Sequence, residues 1–160
     1  MVNTRKSIAS VFKEADDAQT KAGKVSVLQH NQSEVMKMLL RLAHDNTVRW
    51  LLPLGAPPYR PTDAANDVQG RLYSEIQKFY LFVEGGNPPP PNLPNLKREQ
   101  LFIQLLERVD PDDSKLIIAV KDRDLTSLFK SLTVDVINEA FPGLIDVPKQ
   151  QEKGKVHGKD

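Results

Sequence analysis

Prolines place the strongest limit on how this chain can fold. Most of the 12 prolines among its 160 residues fall in two clusters, LPLGAPPYRPT at residues 52–62 and NPPPPNLPN at residues 87–95. Proline lacks a backbone N–H and restricts the residue before it, so neither cluster can form a regular helix or a central strand. The chain must therefore fold as short segments joined by stiff loops.

Between the prolines, apolar residues recur at the spacing of amphipathic helices. Near the N-terminus, Ile8, Val11, Phe12 and Ala15 follow the i, i+3, i+4, i+7 pattern of one helix face. We expect this helix to begin near residue 3 or 4. Comparable patterns predict further helices at residues 24–30, 34–44, 67–83, 96–108 and 134–141, a helix that starts at residue 111 and includes KLIIAV at 115–120, and helical turns near 46–52 and 125–132. The predicted N-caps of the helices at 34–44, 96–108 and 134–141 are Ser33, Asn95 and Thr133.

These segments predict an all-α fold. We expect a single compact domain of about seven or eight short helices with proline-rich connecting loops, since this length suits one domain and no fixed repeat is present. The helical domain should cover residues 1–145. Residues 146–160 have almost no apolar content and predict a disordered, Lys-containing C-terminal tail.

Composition excludes several classes of chemistry. The chain has no cysteine, which removes disulfides, thiolate nucleophiles and thiolate zinc sites. Its 22 basic and 21 acidic residues nearly balance, whereas domains that bind nucleic acid through phosphates usually show a basic excess. No apolar run is long enough to span a membrane and no secretory signal is visible, so we expect a cytoplasmic protein.

Three aspartates in RVDPDDSKLIIAV raise the question of a metal site. A calcium loop counted from Asp110 would need glycine at its sixth and glutamate at its twelfth position, but both positions are lysine. A helix start fits better, with Asp110 as N-cap, Pro111 at the first helical position and Asp113 at the third, facing back to the cap. We therefore predict a structural role for this cluster.

No other motif indicates catalysis or metal binding. His30, His44 and His157 are far apart and lack the spacing of metal ligands. No nucleophile elbow or phosphate-binding loop is present. We predict a protein that is not an enzyme and has no metal, cofactor or catalytic residue. The alternative left open is a catalytic site that folding assembles from residues distant in sequence.

Two loops are candidate contact surfaces. Tryptophan, tyrosine and arginine dominate binding hot spots, and a proline run can be offered to an aromatic groove of a partner. The alternatives are that Trp50 and Tyr59 pack onto the core and that the proline run is a spacer. The candidate partner-binding residues are Trp50, Pro57, Pro58, Tyr59, Arg60, Pro88 and Pro91.

Four sequence blocks carry a family resemblance. VRWLLPLGAPPYRP, GRLYSEIQKFYLFVEGG, KREQLFIQLLERVDPDDSKLIIAVKDRDL and INEAFPGL resemble an uncharacterised family encoded by contractile-tailed bacteriophages related to the T-even group, including cyanophages. The resemblance covers roughly residues 5–145 and carries no assigned activity. It implies a small protein made in an infected bacterium that acts by binding host machinery or a phage complex.

We therefore expect a non-enzymatic phage accessory protein that binds another protein in the cytoplasm of the infected host. The alternative is a nucleic-acid-binding factor in phage replication or transcription, which would need a basic cluster on one face. Its candidates are Arg41, Arg49, Arg60, Arg71, Lys78, Lys97 and Arg98. The oligomeric state stays open, because the broad apolar face of residues 101–109 suits either a core or a dimer contact.

Overall fold

Eight α-helices and one small sheet make up the part of the chain that the computed structural model describes, residues 7–61, 71–85 and 89–145. The helices are α1 (Ile8–Asp17), α2 (Lys21–His30), α3 (Glu34–His44), α4 (Arg71–Glu75), α5 (Asn95–Leu106), α6 (Pro111–Lys121), α7 (Leu125–Leu128) and α8 (Val134–Ala140). A 3₁₀ helix, Ile76–Phe82, follows α4, and β1 (Arg49–Trp50) pairs with β2 (Val83–Glu84). The predicted all-α fold class is confirmed. The predicted tail, residues 146–160, and Pro88 lie outside the described residues.

The core forms where the predicted apolar faces meet. Helix α1 buries Ile8, Val11, Phe12 and Ala15, as its spacing predicts, and packs against α2 and α6. Helix α6 also contacts α3 and α5, and α2 contacts α8. The rings of Phe12 and Phe129 pack edge-to-face with their centroids 5.7 Å apart, and this contact joins α1 to the segment after α7.

Side-chain caps set where several helices begin. The predicted caps Ser33 and Thr133 accept hydrogen bonds from backbone N–H groups of the first turns of α3 and α8. Ser7 caps α1 in the same way, and α1 begins at Ile8. The earlier start that the apolar pattern favoured, near residue 3 or 4, lies outside the described residues. Asn95 was a wrong choice of cap, because it is the first residue of α5 and Pro94 occupies the cap position.

The helical turn expected at residues 46–52 is wrong. Arg49 and Trp50 are extended and pair antiparallel with Glu84 and Val83 respectively. The Arg49 Nε donates to the Glu84 carboxylate at 3.0 Å, and the Leu51 N–H donates to the Phe82 carbonyl at 2.8 Å. The partner strand is more than 30 residues away in sequence, so local periodicity could not indicate this pairing.

The long helix expected at residues 67–83 is also corrected within its described part. The chain is α-helical only to Glu75 and then tightens into the 3₁₀ helix. Ile76, Phe79 and Phe82 are three residues apart and all buried. Three residues per turn places them on one face, which explains why the tighter helix suits this segment.

The aspartate cluster starts α6 as predicted, with one difference. The Asp110 carboxylate accepts from the Asp112 N–H at 2.8 Å, and Pro111 is the first helical residue. Asp113 does not face back to its own cap. Its Oδ1 accepts from the Ala9 N–H at 2.9 Å, so it caps the first turn of α1, 104 residues earlier in the chain.

The Asp113 carboxyl lies in a strongly desolvated position. Its side chain is 0% exposed, and Oδ2 has no hydrogen-bond partner among the described residues. Burial raises the pKa of Asp113 to about 7, with a smaller increase from the Asp110 and Asp112 charges, against the lowering effect of the Ala9 N–H. This carboxyl is therefore neutral in the folded protein at acidic pH.

Asp113 should make the protein less stable as the pH rises. Between the ordinary pKa of 3.8 and the raised pKa of about 7, the unfolded chain releases this proton while the folded chain keeps it. The free energy of unfolding should fall over that interval by a few kcal/mol, on the order of 1.4 kcal/mol per pH unit. Asp113→Asn keeps an oxygen acceptor for Ala9 and removes the ionisation, so its urea-unfolding free energy should depend less on pH.

Asp112→Asn is the matched control, because Asp112 is exposed in the same helical turn. It should retain most of the pH dependence of the wild type, because the Asp112 charge is only a minor cause of the raised pKa of Asp113. If the unfolding free energies of the wild type and Asp113→Asn changed with pH in parallel, the prediction that the buried Asp113 carboxyl keeps its proton would be wrong.

Gly85 marks a close approach of two chain segments beside the sheet. It has a φ of +100°, and a Cβ there would lie 2.3 Å from the Thr47 carbonyl oxygen. Gly143 has a φ of +81°, but its Cβ would meet no atom within 4 Å. An alanine at either position would be strained by the positive φ, but only an alanine at residue 85 would also clash with a neighbouring atom.

Gly85→Ala should destabilise the protein much more than Gly143→Ala. The Gly143 change costs about 1–2 kcal/mol for a left-handed alanine, whereas the Gly85 change must also displace backbone at Thr47 and should cost at least about 2 kcal/mol more. Urea unfolding of the two variants measures the difference. Equal losses would show that the Thr47 contact relaxes freely.

Candidate functional site

The proline-rich loop at residues 52–58 forms one wall of a groove against α5 and the end of α6. The groove has a volume of about 200 Å³ and is lined by Leu52, Pro53, Leu54, Gly55, Ala56, Pro57, Pro58, Glu99, Phe102 and Lys121. Most of these groups are apolar. The Leu54 side chain is 82% exposed, which makes the loop an apolar surface open to solvent.

The last turn of α6 holds this loop in place. The Lys121 ammonium donates to the carbonyl oxygens of Pro53 at 2.8 Å and Gly55 at 3.1 Å. It also contacts the carboxylate of Asp122, which in turn accepts from the Gly55 N–H at 3.1 Å. The loop is therefore tied to the helix through both its carbonyl and its amide groups.

Lys121 is only 4% exposed, yet its charge is compensated. Three acceptors surround the ammonium, which offsets the cost of removing it from water. Such a site leaves Lys121 with little capacity to bind a ligand. Its function in the groove is to fix the backbone of the loop.

Aromatic rings connect the floor of the groove to the core. Phe102 lies under the loop, and its ring meets Phe82 edge-on at 5.3 Å between centroids. Phe82 contacts Phe79 at 6.4 Å, and Phe79 contacts Trp50 at 6.2 Å. The floor of the groove is therefore backed by a continuous row of packed rings, which makes it rigid.

Trp50 and Tyr59 do not line the groove. Trp50 is half-buried, and its Nε1 donates to the Leu42 carbonyl at 3.4 Å. Tyr59 is also half-buried, packs against the core, and burial raises the pKa of its phenol. These contacts agree with the alternative in which both side chains pack the loop onto the core.

The remaining candidate residues divide between two places. Pro57 and Pro58 line the groove, and Arg60 has an exposed side chain while its backbone N–H donates to the Glu107 carboxylate at 2.8 Å. Pro91 is exposed, and its carbonyl accepts from Arg98 at 2.8 Å. The structure therefore brings two of the predicted residues to the groove; Pro88 lies outside the described residues.

Leu54 and Glu99 are two of the groove residues that were not predicted from the sequence. Leu54 is an apolar residue between Pro53 and Gly55 in a proline-rich loop, and this placement was the available signal in the sequence. Glu99 is half-buried on α5 and has no hydrogen-bond or ion-pair partner within the described chain. A single glutamate on a helix gives no such signal in sequence.

Several basic residues proposed for nucleic-acid binding have other contacts. Arg98 is 6% exposed, and its guanidinium donates to the carbonyls of Leu81, Leu93 and Pro91. Arg49 pairs with Glu84, and Lys78 pairs with Glu75 at 3.1 Å. The side chain of Arg71 lies outside the description. A basic face would therefore have to form without Arg98.

The histidines and carboxylates do not gather into a metal site in the described chain. His30 and His44 are the last residues of α2 and α3, as predicted, and His157 lies outside the described residues. Burial and the nearby Arg123 charge lower the pKa of His44. Over residues 7–61, 71–85 and 89–145, no three His, Cys, Asp or Glu side chains are placed to hold a metal ion.

A family comparison places the chain among proteins without an assigned activity. The profile of a family of unknown function, DUF6433, matches residues 11–127, which is more than half of the chain. The chain belongs to this family. No curated protein matches it at a significant level. Among the described helices, none combines the length and apolar content needed to cross a membrane.

Replacing Lys121 should release the loop. Lys121→Met removes the donor for Pro53 and Gly55 and leaves the Asp122 carboxylate without its cation, so we expect a loss of about 2 kcal/mol or more in unfolding free energy. Amide hydrogen exchange at residues 54–56, which have backbone N–H groups, should accelerate. Lys115→Met, at an exposed position of the same helix, should change neither quantity. Unchanged exchange in Lys121→Met would show that the loop is held by other contacts.

Proposed function

We propose that this chain is a non-enzymatic bacteriophage accessory protein that binds another protein through the groove between the proline-rich loop and α5. The observation that carries the proposal is Leu54, a large apolar side chain 82% exposed on a loop that Lys121 fixes to α6. An apolar group exposed on a flexible loop is weak evidence for a binding surface. On a rigid loop, it is ready for a partner at a low cost in conformational entropy.

The dimensions of the groove support a protein partner over a small-molecule substrate. Its volume of about 200 Å³ is below the roughly 300–1,000 Å³ of typical ligand sites. Within the described lining, the ionisable residues are Glu99 and Lys121, and Lys121 is occupied by the loop carbonyls. This arrangement lacks a paired acid and base, so it favours binding over catalysis.

The phage context rests on the sequence resemblance. Three of its four blocks lie inside residues 11–127, the region shared with the family of unknown function. A protein made during infection would meet its partner in the bacterial cytoplasm, and that partner would belong to the host or to a phage replication, transcription or assembly complex.

Nucleic-acid binding is the weaker alternative. Arg98 is buried beneath backbone carbonyls, and Arg49 and Lys78 are paired with acids. Phosphate contacts need exposed, uncommitted cations, so these three residues would contribute little. Binding to DNA or RNA that weakens steeply between low and high salt would favour this alternative.

Affinity purification from phage-infected bacteria tests the proposal. Tagged wild-type protein should retain a defined partner after nuclease treatment, and Leu54→Gln should lose it because the change removes an apolar contact without altering charge. Met38→Gln is the matched control, since Met38 is an exposed apolar residue on α3 that does not line the groove. A partner retained equally by both variants would show that the contact surface lies elsewhere.

A further inference from the structure

The apolar part of the groove has the size of a single side chain. Leu52, Leu54, Pro57 and Pro58 form its wall, and Phe102 forms its floor. A volume of about 200 Å³ admits one aliphatic or aromatic side chain and is too small for a folded element. Because aromatic packing backs Phe102, the floor of the cavity is held in place.

The electrostatics of the groove are one-sided. Lys121 directs its ammonium to the carbonyls of Pro53 and Gly55 and to Asp122, so its charge is already compensated. Glu99 has no hydrogen-bond or ion-pair partner in the part of the chain that the structure describes. The uncompensated charge on the groove lining is therefore negative.

The position of Glu99 makes this charge effective in recognition. Glu99 is half-buried beside an apolar lining, and an ion pair formed next to apolar groups is screened less by water than a fully exposed pair. Leu96 is three residues earlier on the same helix face and 67% exposed. Its surface can cover the methylene groups of a lysine or arginine that reaches Glu99.

From this complementarity we propose that the groove binds a segment of another protein that inserts one apolar side chain and pairs an adjacent lysine or arginine with Glu99. This inference rests on the proposed function and assigns the chemistry of its partner. An acidic segment is rejected, because its carboxylate would meet the uncompensated Glu99 charge. The apolar anchor supplies affinity, and the cation supplies specificity.

A peptide library tests the assignment with the full chain as it exists. Random peptides displayed on a surface are selected against the wild-type protein, and enriched sequences are synthesised and their dissociation constants measured. Enriched peptides should carry Leu, Ile, Met or Phe next to or within a few residues of Lys or Arg. Their affinity should fall about fivefold to tenfold on Glu99→Gln, the scale of one charge-assisted contact.

The control variants separate the cation from the anchor. Glu34→Gln removes an exposed carboxylate of α3 that does not line the groove, and it should leave peptide affinity unchanged. Leu54→Gln should weaken every enriched peptide whatever its charge. Raising salt should weaken binding to the wild type more than to Glu99→Gln, because only the wild type makes the ion pair.

The outcomes distinguish this inference from the proposed function. Peptides that depend on Leu54 but show no basic preference, or an acidic one, would overturn the partner chemistry and leave protein binding at the groove intact. A lack of any Leu54-dependent peptide would overturn both. Self-association of the wild type that Leu54→Gln abolishes, measured by sedimentation, would assign the groove to a second copy of the chain and overturn the inference as well.

Discussion

The buried contact between Asp113 and the first turn of α1 fixes how the helices are arranged. It joins residues 104 positions apart, and Oδ1 finds its donor in the Ala9 backbone. A carboxyl in this position adds little net stability, because burial disfavours its charge and Oδ2 finds no partner in the described part of the chain. The contact fixes the position of α1 relative to α6, because a shift of α1 along α6 would remove the donor from Oδ1 as well.

The opposite end of α6 organises the functional surface in the same manner. Lys121 holds the backbone of the proline-rich loop, and the Arg123 guanidinium donates to the carbonyls of Asp45, at 2.6 Å, and Val48. The first turn of α6 therefore positions α1. The C-terminal end of α6 positions the chain from residue 45, just after α3, to residue 55 in the loop. The rigidity that makes Leu54 a credible contact is a property of α6, because the loop itself has no regular structure.

Sequence predicted the parts of this fold that local chemistry determines. Apolar spacing gave the buried face of α1, and the caps Ser33, Asp110 and Thr133 gave the starts of α3, α6 and α8. It failed where a distant residue decides the outcome. The β1 strand needs Val83 and Glu84 as partners. The charge balance of the groove depends on Lys121 having acceptors while Glu99 has no partner among the residues that the structure describes. Neither relation leaves a trace in nearby residues.

Two structural requirements conflict at Arg123: the helix terminus favours glycine there, but the contacts to Asp45 and Val48 need the arginine side chain. It follows the cap of α6 with a φ of +57°, and the N–H groups of Arg123 and Asp124 bond back to Val120 and Ala119, a helix ending that normally favours glycine. Glycine there would relax the backbone but release the turn at Asp45 and Val48. Replacing residue 123 to stabilise the helix terminus alone would therefore loosen the chain next to β1. A stabilising substitution at this position needs a second change that supplies new donors to the Asp45 and Val48 carbonyls.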